Sequence, residues 1–218
     1  MSTTLEDILK EVQANVDRST DPIDWSDEDT LVRIELVNRA IRSWGLDNVT
    51  RWDELTDNYV LGTVQEGTTS FSLNDDHQYL EAVVDGSGST IEVKTIREAI
   101  KPGRYVYVSG NKADGFELNL GWTPTSEDAL IGKEIRAIGY REPVELGKPT
   151  DIPEMRDPGF ITAYVSSELM IDDDTAQFSK YAADAATKLA NMRDLQAQLA
   201  NGQTSSAFED YSTGLGGY

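Results

Sequence analysis

Hydrophobic residues in this chain recur with the period of a helix at both ends and with the period of a strand in between. That double switch restricts the fold more than any other feature. A helix-period face and a strand-period face cannot belong to one continuous element, so the chain must leave a helical region, build a sheet and return.

At the start, Leu5, Ile8, Leu9, Val12 and Val16 share one helical face, and Thr3 with Glu6 fits a capping box. After the break "DRSTDPIDW", Ser26 with Asp29 marks a second helix start. Leu31, Ile34, Val37, Ala40, Ile41 and Trp44 then form its apolar side, and Gly45 suits its end. From about Trp52 to Arg141 the period changes to short β-rich runs: "NYVLGTV", "TSFSL", "YLEAVVD", "STIEVKTI", "RYVYVSG", "FELNL" and "EIRAIGY". The segments between them carry turn chemistry: "QEGT", "NDDH", "GSG", "NKADG" and "TPTSED".

The stretch "GYREPVELGKPTDIPEMRDPGF" holds Pro143, Pro149, Pro153 and Pro158, four of the chain's seven prolines. Each fixes φ and pushes the residue before it into extended geometry, so this is a stiff strap rather than a hinge. Asp157 with Pro158 then opens a third helix, and Asp174 in "IDDDT" caps a long fourth helix. Its face runs through Phe178, Tyr181, Ala182, Ala185, Leu189, Met192, Leu195 and Leu199 to a stop at Asn201-Gly202. Neither helical pair can bury its apolar face alone. The expected fold is therefore α+β, a helical bundle formed by N- and C-terminal helix pairs with an inserted antiparallel β subdomain. The expected boundaries are 1–51 for the first helices, 52–141 for the β insertion, 142–202 for the strap and last helices, and 203–218 for a flexible tail.

Composition removes several chemistries. No cysteine is present, and His77 is the one histidine, which excludes disulfides, thiolate metal sites and histidine dyads. A formal net charge of −20 disfavours reading DNA or RNA through its phosphates. No apolar run is long enough for a membrane span, and "MSTTLEDILKEV" lacks the features of a signal peptide. A cytosol-like place of synthesis follows, or export within an assembly.

Each remaining polar cluster has a plain structural explanation. "IDDDT" lacks the glycine and distal glutamate of a calcium loop. Asp75, Asp76 and His77 sit where a turn belongs, and "DGSGST" lacks the third glycine and following helix of a dinucleotide loop. Trp122 and Pro124 would suit a sugar-stacking surface, but core or subunit-interface packing accounts for them better. No nucleophile elbow, phosphate loop or zinc signature appears. The expectation is a protein that is not an enzyme, with no catalytic residues, no metal and no cofactor.

The order of these pieces resembles the head–tail adaptors (connectors) of tailed bacteriophages. The likeness lies in "IRSWGLDNVTRWDEL", "TSFSLNDDHQYLEAVVD", "GRYVYVSGN", "IGYREPVEL", "KPTDIPEM", "FITAYVSSELM" and "YAADAATKLANM". The resemblance implies a virion structural protein at the head–tail interface, assembled in the host cytoplasm. It implies a homo-oligomeric ring, typically a dodecamer, beneath the portal protein. Such a ring extends the DNA channel and docks the tail or next connector protein; DNA slides through without sequence-specific binding, and no membrane is involved. By the same analogy Phe208, Tyr211 and Tyr218 in the tail are the portal-binding anchors. Two alternatives remain open: a non-catalytic β-domain binding module for a glycan or protein ligand, and a carboxylate-based hydrolase.

Overall fold

The computed structural model describes residues 2–47, 49–171 and 174–200. The chain divides into two compact units, residues 1–54 with 143–218, and residues 55–142.

The first unit holds α1 (Leu5–Val16), α2 (Glu28–Gly45), α3 (Gly159–Leu169) and α4 (Thr175–Ala200). α1 starts one residue later than its capping signal suggests. Thr4, not Thr3, is the N-cap, and it forms the box with Asp7. The strap decides the register: Leu5 N donates to Asp151 O (2.8 Å) and Glu6 N to Pro149 O (3.1 Å). Asp7 N donates to Thr4 Oγ1 (3.2 Å) and Thr4 N to Asp7 Oδ2 (3.0 Å), so all four free amides of the first turn have acceptors. α2 is likewise capped by Asp27, whose carboxylate accepts from Thr30 N, because Ser26 is engaged by Asp24. Its last helical residue is Gly45, with Leu46 as the cap.

α3 is the hub of this unit. Phe160, Ile161, Thr162, Ala163, Val165, Ser166 and Ser167 are all buried, so the helix is enclosed on every side. α1, α2 and α4 each pack against it. Polar links reinforce this: Thr162 Oγ1 donates to Glu11 Oε2 (3.3 Å), and Arg39 pairs with Glu168 (3.2 Å). α4 buries only Ala185, Met192 and Gln196. Arg193 ties it down through a forked pair with Asp47 at 2.7 and 3.0 Å.

The second unit is one seven-stranded sheet of β1 (Thr56–Thr63), β2 (Ser70–Ser72), β3 (His77–Asp85), β4 (Thr90–Val93), β5 (Tyr105–Asn111), β6 (Gly115–Leu120) and β7 (Glu134–Arg141). The strand order is β1-β7-β3-β4-β5-β6-β2. The two outer strands curl towards each other, which nearly closes a barrel. A Cβ at Gly62 on β1 would stand 3.2 Å from the Phe71 ring on β2, so glycine permits the approach. Asn74, just past β2, donates from its backbone to the Tyr59 hydroxyl (3.3 Å) and from its side chain to Asp57 (3.1 Å) on β1. Val83, Val106, Leu118 and Ile135 fill the centre with no exposed surface.

This architecture overturns the expectation of a helical bundle carrying a small antiparallel β subdomain. The dominant construction is the seven-stranded, barrel-like sheet, with the helices at the ends of the chain. The helices do not form two self-contained pairs. α3 packs closely on α4, but α1 and α2 barely meet, and each lies instead against α3, whose buried residues face every side. Nor is the sheet antiparallel throughout, since β4 pairs β5 in parallel through Glu92↔Tyr105 and Val93↔Val106. The long connection of residues 94–104 makes that geometry possible.

Candidate functional site

The polar residues singled out from the sequence are absorbed by local structure. His77 opens β3, with its amide donating to Asn74 O across the turn (3.0 Å). Its imidazole is buried and stands edge-on to the Phe116 ring at 5.7 Å. Burial lowers the pKa of His77, only partly offset by Asp76, so it is a neutral packing group rather than half of an acid–base pair. Asp85 closes the β3–β4 hairpin: its Oδ1 accepts from Ser87 N (2.8 Å), Ser89 N (3.0 Å) and the Ser87 hydroxyl. These bonds, led by that hydroxyl, hold its carboxyl below the usual range.

Trp122 is locked rather than offered as a platform. Its Nε1 donates to Asp128 Oδ2 (2.8 Å), and the Arg104 guanidinium lies over its ring at 5.5 Å. Asp128 also accepts from Leu130 N (2.9 Å), and that bond, followed by the one from Trp122, keeps its carboxyl below the ordinary value. Asp174 caps α4 by accepting from Ala176 N and Gln177 N, both at 3.1 Å. Asp157 accepts from Gly159 N (3.0 Å) at the start of α3. Among the described residues, no three His, Cys, Asp or Glu side chains are placed to hold a metal ion. Phe208, Tyr211 and Tyr218 lie outside the described residues.

Two further features stand out in the geometry. The first is the strap, residues 143–158. Besides capping α1, it is fixed to α2 by Asn38, which is buried at 6 % exposure. Asn38 Nδ2 donates to Leu146 O (3.0 Å), and Leu146 N donates to Asn38 Oδ1 (2.8 Å). Leu146 and Met155 are buried, Arg42 pairs with Glu145, and Arg156 pairs with Glu54. Asp151 holds the tightest bend by accepting from Gly147 N and Lys148 N, both at 2.8 Å.

The second is an open groove of about 430 Å³ on the sheet, lined by His77, Leu80, Val93, Val108 and Phe116, with Ile96 at its lip. It exists because β4 pairs with β3 only at Val83↔Ile91 and Val84↔Thr90, so the first half of β3 parts from its neighbour. Gln78, Tyr79, Glu81, Lys94, Thr95 and Glu98 complete the lining, so polar and charged groups stand beside the apolar ones.

Sequence reasoning passed over both Asn38 and the segment "KTIREAIKPGR" at residues 94–104. The first left no signal, because a buried asparagine reads as an ordinary polar helix residue. The second carried one, a run of cations in an acidic chain. No protein-family model matches this chain, and no curated protein matches it.

Proposed function

We propose that this chain is a virion structural protein, a head-to-tail adaptor that forms a ring beneath the portal, extends the DNA channel and docks the tail. The observation that carries this reading is the strap. The stretch 139–160, where the wording of the sequence comes nearest to the phage connectors, is a built element that ties α1 and α2 together rather than a passive linker. The absorbed polar clusters support a role in binding over one in catalysis. The charge of −20 fits a channel wall that lets DNA slide without gripping it. In this reading the partners are further copies of the chain, the portal and the tail or next connector, and Phe208, Tyr211 and Tyr218 contact the portal.

Mass spectrometry of purified virions tests the assignment. The account expects the chain at a copy number matching the portal, and its absence from particles that contain portal would refute it. A second reading, a β-domain module that binds a glycan or protein ligand, draws on the groove beside His77. A glycan-array signal lost in a Phe116→Asp variant would favour that reading.

A further inference from the structure

The crossover between β4 and β5 displays the two most exposed large apolar side chains of the sheet unit among the described residues, Ile96 at 61 % and Ile100 at 81 %. We propose that this crossover, residues 94–104, docks on a second copy of this chain. The contact rests on the ring of the connector reading and names the element that makes it.

The crossover is held in one shape. At its first leg, Lys94 N donates to Val106 O (2.8 Å), and Thr95 donates from N (3.0 Å) and Oγ1 (2.9 Å) to Glu98 Oε2. Glu98 N and Ala99 N return bonds to Thr95 O, which closes a single turn and aims Ile96 outward. At its second leg, the Tyr105 hydroxyl donates to Lys101 O (2.6 Å) and Gly103 N donates to Gly121 O (2.8 Å). A Cβ at Gly121 would stand 2.6 Å from the Tyr105 ring, so glycine lets that ring brace the leg. Exposed isoleucines on a clamped loop have little ordering entropy left to lose on binding.

Charge identifies the occupant. Residues 94–104 contain Lys94, Arg97, Lys101 and Arg104 against Glu98, a net +3 in a chain of −20, which leaves −23 on the rest. Lys94 is occupied by the Tyr105 ring at 4.5 Å, and Arg104 by Asp128 at 3.3 Å. Arg97 and Lys101 have no ion-pair partner among the described residues, and each directly follows an exposed isoleucine. The matching surface must be acidic with apolar points, and the rest of a second copy carries that net −23. A loop on one copy meeting a different face on the next is a head-to-tail contact, which repeats around a ring until it closes. It also relieves the repulsion between copies that otherwise share one sign of charge.

The absence of cysteine makes the test clean. Ile100→Cys provides a single thiol for a benzophenone-maleimide photo-crosslinker on the full chain. That labelled chain is mixed with an unlabelled copy carrying a mass tag, irradiated, and analysed by denaturing gel and peptide mass spectrometry. The expected product is a covalent labelled–tagged dimer. Adding Arg97→Glu and Lys101→Glu to the labelled copy should lower its yield about tenfold, with unchanged circular dichroism since both side chains are exposed. Linkage only within one chain, equal yield after charge reversal, or linkage to added portal or duplex DNA but not to the second copy overturns the proposal. Portal binding by the same unirradiated sample separates the two ideas. Self-linkage without portal binding keeps this contact and removes the connector reading; portal-bound rings without linkage at Ile100 do the reverse.

Discussion

Asn38 shows how much one side chain decides in this protein. Its amide matches both the N–H and the C=O of Leu146, and all of these groups are buried. Asn38→Ala leaves two backbone groups without partners, and the expected loss is about 2–4 kcal/mol, read by urea denaturation of the helical unit. A loss below about 1 kcal/mol would mean the strap is not held there. His77 makes a second residue-scale statement. Burial depresses its pKa from the ordinary value of 6.5, so below that pH the unfolded chain takes up a proton that the folded chain resists. Stability is therefore full above pH 6.5 and falls as the pH drops from there towards the folded value. His77 is the chain's one histidine, so no other side chain with an ordinary pKa titrates in that window. Thermal melts between pH 7.5 and 5.5 should show the decline in the native chain and a flatter profile in His77→Gln; identical profiles would contradict the burial account.

At the scale of elements, the strap's prolines stiffen a path that its backbone also bonds. Replacing Pro149 and Pro153 together with glycine keeps the Pro149 position's carbonyl for Glu6 N but frees the unfolded chain. The expected cost is about 1–2 kcal/mol, with faster proteolysis across residues 143–158. Unchanged cleavage would show that the hydrogen bonds alone hold the strap. The elements themselves were largely legible in the sequence. Seven strands stand where the β-rich runs lie between turn residues, and four helices where the apolar period is helical. Their assembly was not. The run "STIEVKTI" reads as strand through Ile96, because Thr95 and Ile96 are β-branched and keep the period. β4 stops at Val93, because Glu98 draws Thr95 into a turn, and that early stop creates the crossover and the parallel pair. The pairing of α1 with α2 failed for a related reason. Periodicity identifies a buried face but not its partner, and α3, with small and apolar residues on every side, takes both of them as well as α4. At the site level, the caps and turns at Asp85 and Asp174 were readable because each satisfies neighbouring amides. Trp122 was not fully resolved, because Asp128 and Arg104 reach it only through the fold.

At the scale of the whole molecule, the balance of charge governs assembly in the proposed ring. Copies at −20 repel over about a Debye length, ~8 Å at physiological ionic strength, while the close pairs proposed for Arg97 and Lys101 would act inside that distance. The proposed function requires the chain to assemble on a portal. Sedimentation velocity of the full chain mixed with the portal ring of the same phage tests it most directly. The account predicts one faster boundary containing both proteins at a fixed ratio. A chain that sediments as a lone monomer beside an unchanged portal would contradict it.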